Sequence, residues 1–534
     1  MINLRLSILL AVATLLTLAG PARADTVTDW NRHATDALIV TAGQSPTVSL
    51  PHLAMVHGAV YDAVNAIDRR YESYLGAPPA EPWYSKDAAA AAAAYRVLSI
   101  LLPAQQAQLD ARYAASLAGI PPGAARDGGV AVGDAAAATM VAARKGDGRF
   151  GPFRFAVGSA PGQWQPAPPA FVNDPFAWIA RVRPFLADTP SRFRSGGPNP
   201  LTSRRYADEY VEVKAVGSLG SAARTADQTD MARFWAEHAP AMWSRIARDL
   251  AAEHRLGTAD GGRLYAMLYL TAADAAIACW DDKAHWGFWR PITAIREAAA
   301  DGTSATEPDP GWLPLINTPP YPDHPSGHGC VSGSIVRTLQ DFFGTDSAHF
   351  SALSATSGTT RTFTRFSQAI DEIVDARVYS GLHFRTADEH GAEIGREVAR
   401  YRSERFFHRM HGRSPVERGT IAFDSDRDGG DIDIWTMRPD GTGLRNLTAG
   451  SPATDGLSNW RADGRRIAFM SDRVTAANPE ADFEISSCAP TARPRSRSRP
   501  TRSTTSAPAG RPTAGASSSS ATSIRSAARS TSTS

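Results

Sequence analysis

Between Asp25 and His411 the apolar positions recur at helical spacing, and segments 54–67, 88–102, 124–143, 222–250, 259–278 and 331–343 predict helices. No comparable series of alternating strands interrupts them. The reading is a mainly α fold, a helical bundle whose Ala-rich stretches let helix axes approach closely. Residues 150–203 break the pattern, being dense in Pro, Gly and aromatics such as Phe153, Phe155, Trp164, Phe171, Phe176, Trp178 and Phe185. A long irregular segment inside a compact domain serves as a binding loop or as surface cover, and here it is expected to border a pocket.

After Arg413 the pattern changes to short strands and turns. Thr420-Ile-Ala-Phe-Asp-Ser-Asp-Arg nearly repeats as Arg466-Ile-Ala-Phe-Met-Ser-Asp-Arg, with Ile421 and Ile467 46 residues apart. That period suits one propeller blade, whereas closure of a propeller takes four blades or more. The series Asp424, Asp426, Asp428 is read as turn acids, because Trp435 stands where a calcium loop needs Glu. The second repeat stops at Glu484-Ile485, where a Ser, Thr, Arg and Pro tail of disordered composition begins, as a shifted reading frame would produce. The expected organisation is therefore a signal peptide over 1–24, a helical domain over 25–413, incomplete β repeats over 414–487 and a tail over 488–534.

Composition changes this picture in three places. The apolar run 6–19, after Arg5 and before Ala22-Arg23-Ala24, has the layout of a secretory signal cleaved before Asp25, which implies export and leaves no membrane span. The 534 residues carry 56 Lys and Arg against 54 Asp and Glu, a net +2, but residues 491–534 hold eight Arg and no acid. Subtracting those eight from +2 leaves −6 for the first 490 residues, so the body is acidic and no specific nucleic-acid partner is expected. The three cysteines, Cys279, Cys330 and Cys488, cannot all pair. Cys279 and Cys330 either bridge or remain buried thiols. A homo-oligomer is compatible with all of this.

Candidate chemistry lies in three clusters around histidine. Lys283 and Arg290-Pro291 stand seven residues apart, which on one helix returns both cations to nearly the same face. Pro325-Ser326-Gly327-His328 reads as a helix start: Pro325 at the first position, then free amides and the positive dipole end to attract an anion. That field keeps His328 neutral and able to exchange protons. Arg377 precedes His383 by six residues, adding a guanidinium that forks onto oxyanion oxygens. Together they describe a pocket for a tetrahedral oxyanion. His324, just before Pro325, either faces the pocket entrance or supports the site residues, or is an ordinary loop histidine.

In this order and spacing the clusters resemble the signature of the vanadium-dependent haloperoxidases and type 2 phosphatidic acid phosphatases, K-x6-R-P, P-S-G-H and S-R-x5-H-x3-D. The first two motifs match completely, while Ala376 stands where the third has Ser and Asp388 follows His383 one residue late. The resemblance spans residues 28–411 and implies a helical bundle of the haloperoxidase and acid phosphatase type. As a haloperoxidase the chain would hold vanadate through His383, the metal ligand, with Lys283, Arg290, Ser326, the Gly327 amide and Arg377 on its oxygens. His328 would move protons, and hydrogen peroxide and halide would be substrates. As a phosphatase it would need no cofactor, with His383 attacking a phosphoester and His328 protonating the leaving oxygen. Asp388, or a backbone carbonyl in its place, would orient His383, and otherwise Asp388 would stand behind it. The aromatic first motif, with Trp286, Phe288 and Trp289 beside Arg290, is similar to the haloperoxidase branch, here its bacterial secreted members. An inactive binding protein on the same bundle is the third reading. The segment after Arg413 resembles TolB-type WD40-like repeats.

Overall fold

The computed structural model describes residues 25–410, 421–437, 443–460, 466–475, 478–479 and 482–488. The expected signal peptide and the tail beyond Cys488 lie outside these residues. The chain divides into two compact units between Arg413 and Ser414.

The first unit is helical: α1 Thr26–Thr35, α2 Pro46–Asp68, α3 Lys86–Leu101, α4 Gln106–Ala118, α5 Ala124–Ala143, α6 Arg204–Val216, α7 Ala226–Phe234, α8 Ala239–Glu253, α9 Thr258–Trp286, α10 Pro291–Glu297, α11 Gly327–Phe343, α12 Phe366–Tyr379 and α13 Arg385–Arg405. The 29-residue α9 is buried almost continuously from Gly261 to Lys283, as befits an axis apolar on all sides. Among the described residues no single helix is long and apolar enough to cross a membrane.

Small residues set the helix spacing. A Cβ on Gly129 or Gly133 of α5 would lie 2.3 Å from the Ser85 carbonyl oxygen or 2.4 Å from that of Ala89, so α5 rests directly on the α3 backbone. The same device joins α11 to α13. A Cβ on Gly333 would meet Ala392 O at 2.6 Å, and one on Gly395 would meet Cys330 O at 2.3 Å. That contact fixes the start of α11, which carries Ser326 to His328, beside the start of α13, which follows His383.

Three expectations need correction. Segment 222–250 is two helices, because the chain turns through Trp235 to His238 and restarts with Pro240 in the first turn, where a proline is tolerated. A hairpin, β1 Ser347–Leu353 with β2 Thr360–Arg365, lies inside the helical unit. Phe350 pairs across it with Phe363, their ring centroids 5.1 Å apart, and buries one face only. Lys283 and Arg290 share no helix. Gly287 (φ 53°) ends α9 in the left-handed region, its amide returning to Lys283 O, and Arg290 caps the next helix before Pro291.

Segment 150–203 wraps around these elements, as its composition suggested. The Trp164 amide donates to Gly287 O at 2.7 Å and the Trp289 amide to Gly162 O at 3.0 Å. Further along, the buried Asp274 carboxylate on α9 accepts the amides of Phe185, Leu186 and Ala187 at 2.5, 2.8 and 2.9 Å. The segment is thus tied to the same α9–α10 break that carries Lys283 and Arg290.

The second unit contains two three-stranded antiparallel sheets, β3 Ile421–Ser425 with β4 Asp433–Met437 and β5 Arg445–Asn446, and β6 Asp455–Trp460 with β7 Ile467–Ser471 and β8 Glu484–Cys488. Among the described residues they form no closed propeller. Its small core is Ile434, Ile467 and Phe469. Asp424 is more than a turn acid, since its carboxylate accepts the amides of Leu457 and Ser458 and so links the two sheets.

Candidate active site

The three clusters meet around His383. Lys283, Arg290, Ser326, Arg377 and His383 are all buried. Lys283 Nζ donates to the carbonyls of Pro322 (2.7 Å) and Asp323 (3.0 Å), leaving one of its three protons free, and lies over the rings of Tyr321 and Trp280. Burial lowers its pKa to about 8. Arg290 is held by Nε to Tyr321 O and by Nη1 to Leu382 O, both at 2.8 Å, while Nη2 has no partner. Arg377, in the last turn of α12, leaves Nε equally unpartnered.

The second motif departs from its expected register. Ser326, not Pro325, is the boundary residue: it caps α11, its hydroxyl accepting weakly from the Gly329 amide at 3.4 Å, and its own amide is spent on Ala387 O. The anion-facing amides are therefore those of Gly327 and His328, in the first turn where no helical partner exists. Gly327 must lack a side chain because a Cβ there would sit 2.9 Å from the Trp280 ring.

Both histidines are kept neutral. Burial, then Arg290, Lys283, Arg377 and His328 in that order, hold His383 well below the usual histidine range. For His328 burial acts first and Arg377 second, and its Nε2 is buried without a partner. Unpartnered buried guanidinium nitrogens carry a desolvation cost of several kcal/mol unless a ligand satisfies them. The orphaned Arg290 Nη2 and Arg377 Nε, the Lys283 proton and two helix amides are such a cradle, shaped for a compact anion beside His383.

Two of the sequence-predicted residues lie elsewhere. Asp388 makes no hydrogen bond to His383; it sits in α13 beside Arg377 and the Ser326 hydroxyl, which lies close without closing a good hydrogen bond. Burial raises its carboxyl well above the usual range, against the pull of Ser326 and Arg377. The carboxyl group nearest His383 is that of Asp323, with Oδ1 2.8 Å from Nδ1, although neither of its oxygens closes a well-aligned hydrogen bond. His324 is not at an entrance. It is 1% exposed, with Nε2 3.0 Å from Ser195 Oγ and 3.3 Å from His390 Nδ1, and Ser195 in turn donates to Asp282 at 2.6 Å. Asp323 and Tyr321 were missed; an acid two residues before Pro325 was the available signal. The three cysteines are free thiols, and Cys279 Sγ points at Pro325 O.

The helical bundle thus brings a buried set of cations around two histidines. Residues 263–412 match the family model described as the VCPO second helical-bundle domain. The vanadium chloroperoxidase of Curvularia inaequalis is 29% identical over 188 residues, 30% of this chain, and the chain spans 30% of that relative's length. The crystal structure of the first bacterial vanadium-dependent iodoperoxidase superposes with a TM-score of 0.63 at 25% identity, covering 73% of this chain and 98% of that one. The holo form of a bacterial vanadium-dependent chloroperoxidase shares the fold, with a TM-score of 0.54 at 18% identity over 68% of this chain and 92% of its own. The helical unit is thus similar to vanadium haloperoxidases, in sequence over residues 263–412 and in fold over most of its length.

Proposed function

We propose that the protein is a vanadate-dependent haloperoxidase that oxidises halide with hydrogen peroxide in the cradle around His383. The observation that carries this reading is the set of orphaned cationic donors facing a neutral, buried histidine. Vanadate fits it: His383 would be the ligand to the metal, and Lys283, Arg290, Arg377, Ser326 and the amides of Gly327 and His328 would hold the oxygens. When bound, vanadate supplies Lewis acidity that activates peroxide toward halide. The chain's own residues neutralise the oxygens' charge, exclude water, and present His328 Nε2 to take or return a proton. Export through a cleaved signal peptide is part of the proposal.

The same cradle suits a phosphoryl group, and phosphoester hydrolysis through His383 is the second reading, favoured by the likeness in shape and charge of phosphate and vanadate. A paired assay separates them. Dye halogenation by the purified chain with vanadate, peroxide and iodide or bromide is expected, with little phosphoester hydrolysis in vanadate-free buffer. The reverse result moves the protein to the phosphatase reading, and neither activity makes it an inactive binder.

The charges in the pocket also set a pH dependence. Lys283, brought down to about 8 by burial, loses its positive charge as pH rises through that value. Asp323, pushed up to about 7 by burial, gains a negative one in the same direction. Oxyanion affinity therefore falls as pH rises from 7 to above 8. Competition by sulfate, whose own charge is constant there, measures the effect free of ligand titration.

A further inference from the structure

The third motif's departure, Asp388 one residue late, leaves open what orients His383. Asp323 occupies that role by geometry. Its backbone is pinned on both sides, the amide donating to Phe288 O at 2.9 Å and the carbonyl accepting from Lys283 Nζ. The side chain is buried, with Oδ1 2.8 Å from His383 Nδ1, a close contact that does not close a well-aligned hydrogen bond, and 3.8 Å from Arg290 Nη1. Arg290 Nη1 stands 3.2 Å from Nε2 and 3.5 Å from Nδ1.

These neighbours select one tautomer. A guanidinium can only donate, so the nitrogen nearer to it must accept and carries no proton. The neutral ring has a single proton, which therefore sits on Nδ1, the nitrogen that faces Asp323. We propose that Asp323, reaching in from the approach to the second motif, is the positioning residue that holds His383 with its proton on Nδ1 and the Nε2 lone pair facing the cradle. This deepens the oxyanion-site reading and rests on it. It moves the orienting carboxylate from the third motif, where the family signature has it, to the residue that also carries Lys283 on its carbonyl. Asp388 is left to serve Arg377 and Ser326. A carboxylate behind a ligating imidazole raises the ring's basicity and fixes its angle, and losing such a partner costs about 10- to 100-fold in affinity for the bound group.

The test uses the full chain labelled with 15N-histidine, with His383 signals assigned by their loss in His383→Gln. The ring nitrogen shifts report the tautomer of the ligand-free protein, and equilibrium dialysis reports vanadate affinity. Wild type is expected to show a protonated Nδ1 and bare Nε2. In Asp323→Ala the ring should shift toward the opposite or a mixed tautomer, with vanadate bound about 10- to 100-fold more weakly. In Asp323→Asn the side-chain oxygen can still accept, so the tautomer should persist with a smaller loss. Asp388→Asn should leave the His383 tautomer in place. The proposal is overturned if Asp323→Ala keeps the wild-type tautomer and affinity, or if Asp388→Asn, not Asp323→Ala, moves the tautomer. Should Asp323→Ala not fold, Asp323→Glu decides: a displaced carboxylate should perturb the His383 shifts, and unchanged shifts overturn the assignment. If wild type binds no vanadate, the oxyanion reading fails, while the ring nitrogen shifts still support or overturn the role of Asp323 independently.

Discussion

His383→Ala is expected to lower halide oxidation by about three orders of magnitude or more, as loss of a central group in a cooperating constellation does, while the fold survives. The ring is buried among Arg290, Lys283, Arg377 and His328, and the one other imidazole, that of His328, is held at its own place in the first turn of α11. Truncation leaves three buried cations around two carboxylates, Asp323 and Asp388, with no nucleophile or ligand between them. Anions can still enter such a cradle by charge alone. Sulfate competition should therefore fall less steeply than turnover in the variant. Turnover within tenfold of wild type would remove His383 from the chemistry, whichever oxyanion the pocket takes.

Gly395→Ala is the second large effect, and it acts from outside the pocket. The added Cβ would stand 2.3 Å from Cys330 O and 2.5 Å from Ser334 N, both backbone atoms that cannot swing aside. α11 and α13 must separate, at a cost of about 3 kcal/mol, read as a fall in thermal midpoint. Because α11 begins with the Ser326 cap and α13 begins just after His383, oxyanion affinity should fall together with stability. A variant with wild-type midpoint and affinity would show that this helix crossing does not set the spacing of the site.

Much of the site was legible because its chemistry is local. Lys283, Arg290, Ser326, His328, Arg377 and His383 each announce themselves by residue type and spacing, and all of them converge. Their supports were less legible. A seven-residue interval looks like one helix face until Gly287 ends α9, and only the folded chain shows the two cations meeting across that break. The helix begins after Ser326 and not at Pro325, and the Ser326 amide pairs with Ala387 on another helix, a pairing that no local pattern carries. Asp323 stood in plain view, yet its partner is 60 residues away, and distance along the chain hides a buried contact. Periodicity gave the helical class readily. It missed the β1–β2 hairpin, whose burial rests on Phe350 and Phe363 meeting across a turn, and it joined α7 to α8 across a bend that breaks the polypeptide without breaking its apolar rhythm.

The central claim is that the three clusters hold one tetrahedral oxyanion against His383. Equilibrium dialysis of the purified chain and of His383→Ala against vanadate at pH 7 tests it most directly. Wild type is expected to bind one equivalent saturably, displaced by phosphate, and the variant to bind much more weakly. Absence of saturable binding in wild type, or equal binding by both proteins, would contradict it.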